Sequence, residues 1–122
     1  MVRTRMAVLV SATLGLFLFT ATTYAQDPLK TGTKTIVLKF ENEKVRVLDW
    51  DSKPGDKEPI HQHPDMVVIY MTTGSYTSTG PDGKSTVVNV KAGDTVFKKA
   101  LTHSVENTGN TEVKAILVEF KQ

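Results

Sequence analysis

Turn signals cut this chain into runs too short for anything but strands. From residue 34 onward they fall roughly every ten residues, the spacing of an all-β sandwich or barrel. Residues 35–40 form a β-branched run, and Glu41-Asn42-Glu43 makes a turn. Residues 44–50 alternate, with Val45, Val47 and Asp49 on one side. Residues 52–59 contain Pro54-Gly55-Asp56 and read as a loop. Further strands are expected at 66–71, 75–79, 85–90, 95–98, 103–107 and 113–120. Between two of them, Gly80-Pro81-Asp82-Gly83-Lys84 is a hairpin turn, since Asp-Gly supplies the positive φ that a tight turn needs. No stretch sustains a helical period, and there is no internal repeat. The centre of the last strand, Ala115-Ile116-Leu117-Val118, is apolar on both faces. A dimer partner or the N-terminal strand is expected to cover its outer side.

The first 25 residues have a different character. Arg3 and Arg5 precede an apolar stretch over 6–19, and small or polar residues follow, ending Thr23-Tyr24-Ala25. This is the pattern of a secretory signal peptide cut after Ala25. The alternative, a membrane anchor, is disfavoured because a bilayer span takes about 20 apolar residues. Residues 26–33 are expected to be a flexible lead-in, and 34–122 one domain. The leader holds two of the 15 basic residues and none of the 13 acidic ones, so the remainder is formally neutral. Neither nucleic acid nor an anionic membrane surface is therefore expected as a partner. A periplasmic or secreted location is expected. The chain has no cysteine, so it has neither disulfides nor thiolate chemistry. A core, an oligomeric interface or a metal must supply its stability.

The chain has three histidines. His61 and His63 stand two residues apart, and in a strand such residues point to the same face. Strict alternation then also sends Asp65, Val67, Ile69 and Met71 inward. Neutral imidazoles are ligands for zinc, iron, copper or nickel. A third ring, His103, would complete a three-nitrogen face with positions left for water or substrate. His-x-His alone leaves surface or core histidines equally open.

The spacing around these residues resembles that of a small single-domain cupin. The family's first motif runs glycine, five residues, His-x-His, three or four residues, glutamate, six residues, glycine. Here Gly55, His61, His63 and Gly74 fall in place, and Val67 stands where the glutamate is expected. The second motif is matched by Gly93-Asp94, His103 and Asn107, entered through Lys91-Ala92-Gly93-Asp94-Thr95-Val96-Phe97. Its usual proline is replaced by Lys98 or Lys99, its second glycine is missing, and the spacing is one residue short. The resemblance covers about 34–121. It implies a cupin-type jelly-roll β-barrel, commonly a homodimer, with His61, His63 and His103 as ligands of one divalent metal (Fe, Mn, Ni, Zn or Cu).

Three-histidine sites occur among iron cupins, including thiol dioxygenases. The resemblance thus implies a dioxygenase-like enzyme acting on a small polar or anionic molecule. The alternative is a non-catalytic small-molecule-binding or accessory cupin whose metal site is degenerate. Asp65 is a candidate substitute for the lost carboxylate, and Met66 a weaker one. Glu58 is expected to be a surface charge, the Lys98-Lys99 pair an exposed turn, Glu106 solvated and Asn107 structural. Trp50, Tyr70, Tyr76 and Phe97 are expected in the core or a dimer interface.

Overall fold

The computed structural model describes residues 26–122, together with Ala12, Gly15 and Leu16. The expected signal peptide otherwise lies outside the described residues. Nine strands form among the described residues, eight of them where the turn signals predict them and β3 in addition: β1 Ile36–Glu41, β2 Val45–Ser52, β3 Lys57–His63, β4 Met66–Tyr70, β5 Gly74–Thr79, β6 Ser85–Val90, β7 Thr95–Lys98, β8 Leu101–Glu106 and β9 Val113–Phe120. They build a jelly-roll barrel of two antiparallel sheets, ordered β1-β2-β9-β4-β7 and β3-β8-β5-β6. Leu48, Trp50, Val68, Tyr70, Tyr76, Val105, Val113 and Leu117 are among the side chains that fill the space between them. Gly55 and Gly93 take φ of +89° and +92° in the turns that lead into β3 and β7, a region that disfavours any side chain.

Three differences from the expected pattern decide what faces the barrel interior. First, β3 begins at Lys57, inside the stretch read as a loop, and carries a register shift between Glu58 and His61. The irregularity sets Glu58 in phase with His61 and His63, so all three are buried while Pro59 and Ile60 face out. Glu58 is therefore a buried side chain and not a surface charge. Second, alternation does not survive Pro64. His63 belongs to one sheet and Met66 to the other, and the two residues between them lie in neither. Inward residues of β4 are thus Met66, Val68 and Tyr70, not Val67, Ile69 and Met71. Third, Lys98 ends β7 opposite Met66, on the inward side, whereas Lys99 is exposed.

The outward phase of the five-stranded sheet is apolar across its width. Phe40, Val47, Val118, Val67 and Phe97 are successive cross-strand partners from β1 to β7. Phe40 and Phe97 are more than half exposed, at 53% and 58%. Residues 26–33, read from composition as flexible, lie against the barrel. Gln26 bridges His61 in parallel, and a short 3-10 helix, Pro28–Lys30, is capped by Asp27.

Candidate metal centre

His61 and His103 are direct cross-strand partners on β3 and β8, and His63 lies one inward step along β3. All three rings are buried, with centroids 4.7–5.6 Å apart. One ring nitrogen from each lies within 4.8 Å of the others. The structure therefore brings together all three histidines singled out in the sequence.

Each Nδ1 is engaged away from the centre. His61 Nδ1 donates to the carbonyl of Pro59 at 2.9 Å, His63 Nδ1 donates to Glu119 Oε2 at 2.6 Å, and His103 Nδ1 pairs with Ser78 Oγ at 2.8 Å. A carbonyl and a carboxylate only accept, so for His61 and His63 the proton sits on Nδ1 and the lone pair on Nε2. Outer hydrogen bonds of this kind fix ring orientation and strengthen the ligand nitrogen. His103 Nε2 is buried with no hydrogen-bond partner. A buried, unpartnered ring nitrogen facing two further imidazoles fits a tris-imidazole metal site, where the metal would be its partner. Burial pushes His61 down to about 4 and His103 down to about 3, and the neighbouring imidazoles push the same way. Both rings are neutral at neutral pH, as a ligand must be. The donor set fits a divalent first-row metal with open positions.

Among the described residues, no carboxylate joins the three rings as a ligand. Asp65, the proposed substitute, turns away and accepts from Ala100 N at 2.8 Å. The carboxylate nearest in role is Glu119, 1% exposed, which reaches His63 from β9. Its other oxygen accepts from Arg46 Nε at 2.7 Å, and Arg46 Nη1 donates to Asp27 Oδ2 at 2.6 Å. Burial opposes the charge on Asp27, but hydrogen bonds from Arg46 and Leu29 N hold its carboxyl below the usual range. A chain of charge-assisted bonds thus runs from the lead-in to His63. Sequence reasoning passed over Glu119, although it shares inward phase with Val113, Ala115 and Leu117, where a lone charge is conspicuous.

The rings open on a cavity of about 30 Å³, also lined by Met66, Tyr76, Lys98 and Glu58. Glu58 accepts from Trp50 Nε1, and burial raises its pKa. Tyr70 and Tyr76 share a hydrogen bond at 2.6 Å, and Lys98 Nζ donates to Tyr76 OH at 3.0 Å. Burial followed by the Tyr70 neighbour raises the Tyr76 phenol far above its usual range, so it stays protonated. Asn107 is structural as expected. It is 1% exposed, and its Nδ2 donates to the carbonyls of Ser52 and Thr111. Glu106 faces away from the centre and pairs with Lys57 at 3.3 Å.

A jelly roll carrying three inward histidines on two paired strands defines a class, the small barrels whose histidine cluster could hold a metal. Residues 48–119 match the model of the cupin domain, and the chain belongs to the cupin family. No curated protein matches the sequence. Among solved structures, a cupin domain from Bordetella pertussis is 30% identical with a TM-score of 0.66, covering 71% of this chain and 92% of the other. A RmlC-like cupin with a double-stranded β-helix fold from Methanocaldococcus jannaschii is 20% identical at a TM-score of 0.55, with 75% and 84% covered. A double-stranded β-helix protein from Klebsiella pneumoniae is 21% identical at 0.55, with 70% and 76% covered. The last two show likeness of fold alone.

Proposed function

We propose that this chain is an exported metal-dependent cupin that holds one divalent metal through Nε2 of His61, His63 and His103. Its most favoured activity is dioxygenase-like chemistry on a small polar or anionic molecule. One observation carries the reading: all three Nδ1 atoms are engaged outward while His103 Nε2 is buried without a partner. A bound metal would supply a Lewis-acidic centre that keeps its full positive charge on three neutral ligands. The protein's own contribution is orientation and exclusion of bulk water. Glu119 and the carbonyl of Pro59 set the ring tautomers, and Met66 and Val68 keep the inner wall apolar. The leader pattern around Arg3, Arg5 and Ala25 supports export to the periplasm or medium.

The apolar outer face of the five-stranded sheet supports a homodimer joined across it. A two-fold axis there would set the row from Phe40 to Phe97 against its own copy.

Metal analysis of protein purified without a chelating tag tests the centre. About one metal per chain is expected, lost in both His61→Ala and His103→Ala. Well under one metal per chain, with no thermal stabilisation by added Fe(II), Mn(II), Ni(II) or Zn(II), would leave the accessory-cupin reading in its place.

A further inference from the structure

Among the described residues, Lys98 is the one lysine or arginine lining the cavity onto which the three histidines open. Its ammonium has three donors, and one is spent on Tyr76 OH at 3.0 Å. Among the described residues, no carboxylate lies within ion-pair distance of it. Tyr76 holds it in place, with the ammonium 5.7 Å from the ring centroid. Tyr76 is itself fixed by the Tyr70 hydroxyl and by edge contact with Trp50 at 4.9 Å between centroids.

A lysine without a counter-ion beside a site built for a dication is an electrostatic conflict. Two like charges facing one small cavity repel, and the low polarity of the walls strengthens that repulsion. The other charged groups do not resolve it. Glu119 lies behind His63 and is already paired with Arg46. Glu58 is turned to Trp50 Nε1, and burial favours its neutral form. An anion between the two would resolve the conflict.

We infer that Lys98 and the three-histidine face form the two ends of a binding site for a small monoanion of two or three heavy atoms, and that metal and anion bind cooperatively. This rests on the metal reading above, for the inner end of the anion is held by the metal. The size limit comes from the cavity. About 30 Å³ is room for one or two waters. That room suits an anion the size of azide or formate better than an aromatic carboxylate. The two spare Lys98 donors take the outer end of the anion, and Tyr76 is a positioning residue for that ammonium. Cooperativity follows from linkage, since each charge lowers the cost of binding the other by the same factor.

The test is zinc affinity, by competition with a chromophoric chelator, with and without sodium azide. In the wild type, azide should tighten zinc binding about tenfold, within the usual range of coupling between two sites. Formate should act likewise and benzoate should have no effect. In Lys98→Met, which keeps the stem and removes the charge, zinc should bind more tightly than in the wild type without azide, and the azide effect should disappear. Lys98→Arg should retain it. If azide leaves wild-type zinc affinity unchanged, or acts equally on Lys98→Met, the anion site is wrong and the metal centre stands. If no form of the protein takes up zinc with or without azide, the metal centre itself is wrong and the anion site falls with it.

Discussion

Glu119 on β9 and His63 on β3 belong to different sheets, and their side chains meet at 2.6 Å. β4 brings no carboxylate to the three rings, yet a buried carboxylate stands one hydrogen bond behind His63. It orients His63, a candidate ligand, instead of joining the three rings.

Removing that support should weaken the centre without unfolding the barrel. Glu119→Gln keeps the shape and loses the charge that favours the Nδ1 proton of His63. Loss of such an outer partner costs about 10- to 100-fold in metal affinity. Chelator competition measures it, and an unchanged affinity would show that Glu119 serves only the ion pair with Arg46.

A carboxylate can also be added to the centre, and the phase of β4 says where. Spacing assigns the missing glutamate to position 67, but Val67 faces outward between Val118 and Phe97. The inward residue is Met66, which lines the cavity beside the three rings. Met66→Glu should raise affinity for zinc or manganese, and Val67→Glu should not. The reverse order would show that β4 runs in the opposite phase.

Much of the fold was legible in the sequence because turn residues punctuate it. The turns around Asp82-Gly83 and Gly93-Asp94 placed β5, β6 and β7 within a residue. The three histidines were legible as a set because strand geometry and cupin spacing agree on them. What lines the rest of the cavity was not. The phase of β4 depends on where the chain leaves one sheet for the other, and Pro64-Asp65 gives no count of residues lost in the crossing. Glu58 sits before a proline in a polar stretch, and only the irregularity in β3 turns it inward. Lys98 ends a four-residue strand next to a second lysine, a pattern indistinguishable from an exposed turn until β7 is paired with β4.

Glu58 has a testable structural role. Glu58→Ala leaves the indole N–H of buried Trp50 without its acceptor, at a cost of about 1–3 kcal/mol. Glu58→Gln keeps an acceptor and should cost much less. Urea denaturation of the two variants would distinguish them, and equal losses would mean that packing rather than the hydrogen bond sets the cost.

Metal-free protein should lose stability on mild acidification. His61 and His103 are held at about 4 and about 3 when folded, chiefly by burial, against about 6.5 when unfolded. Below the unfolded value, the unfolded chain takes up protons that the folded one refuses. Their contribution is therefore complete above pH 6.5 and is lost as pH falls towards 4 and 3. Between pH 7.5 and 5 the loss should be on the order of 2–4 kcal/mol, while ordinary carboxylates stay largely ionised. Urea midpoints across that window measure it, and a flat profile would mean that the rings are solvated.

Substituting Val118→Lys, in the middle of the outward apolar row, should leave the barrel folded and abolish the proposed dimer. Light scattering coupled to size exclusion reads the mass directly. A wild type that is monomeric at all concentrations would remove the proposal.

The bond between Glu119 and His63 also ties together two sheets that share no main-chain ladder there. Sliding β9 by one residue against β3 would swing the carboxylate out and bring an outward-facing Val118 or Phe120 to the ring. Alignment of the two halves and readiness for metal are thus a single condition. A barrel that closes out of step disarms itself, and under the proposed metal reading metal content would gauge whether each molecule assembled correctly.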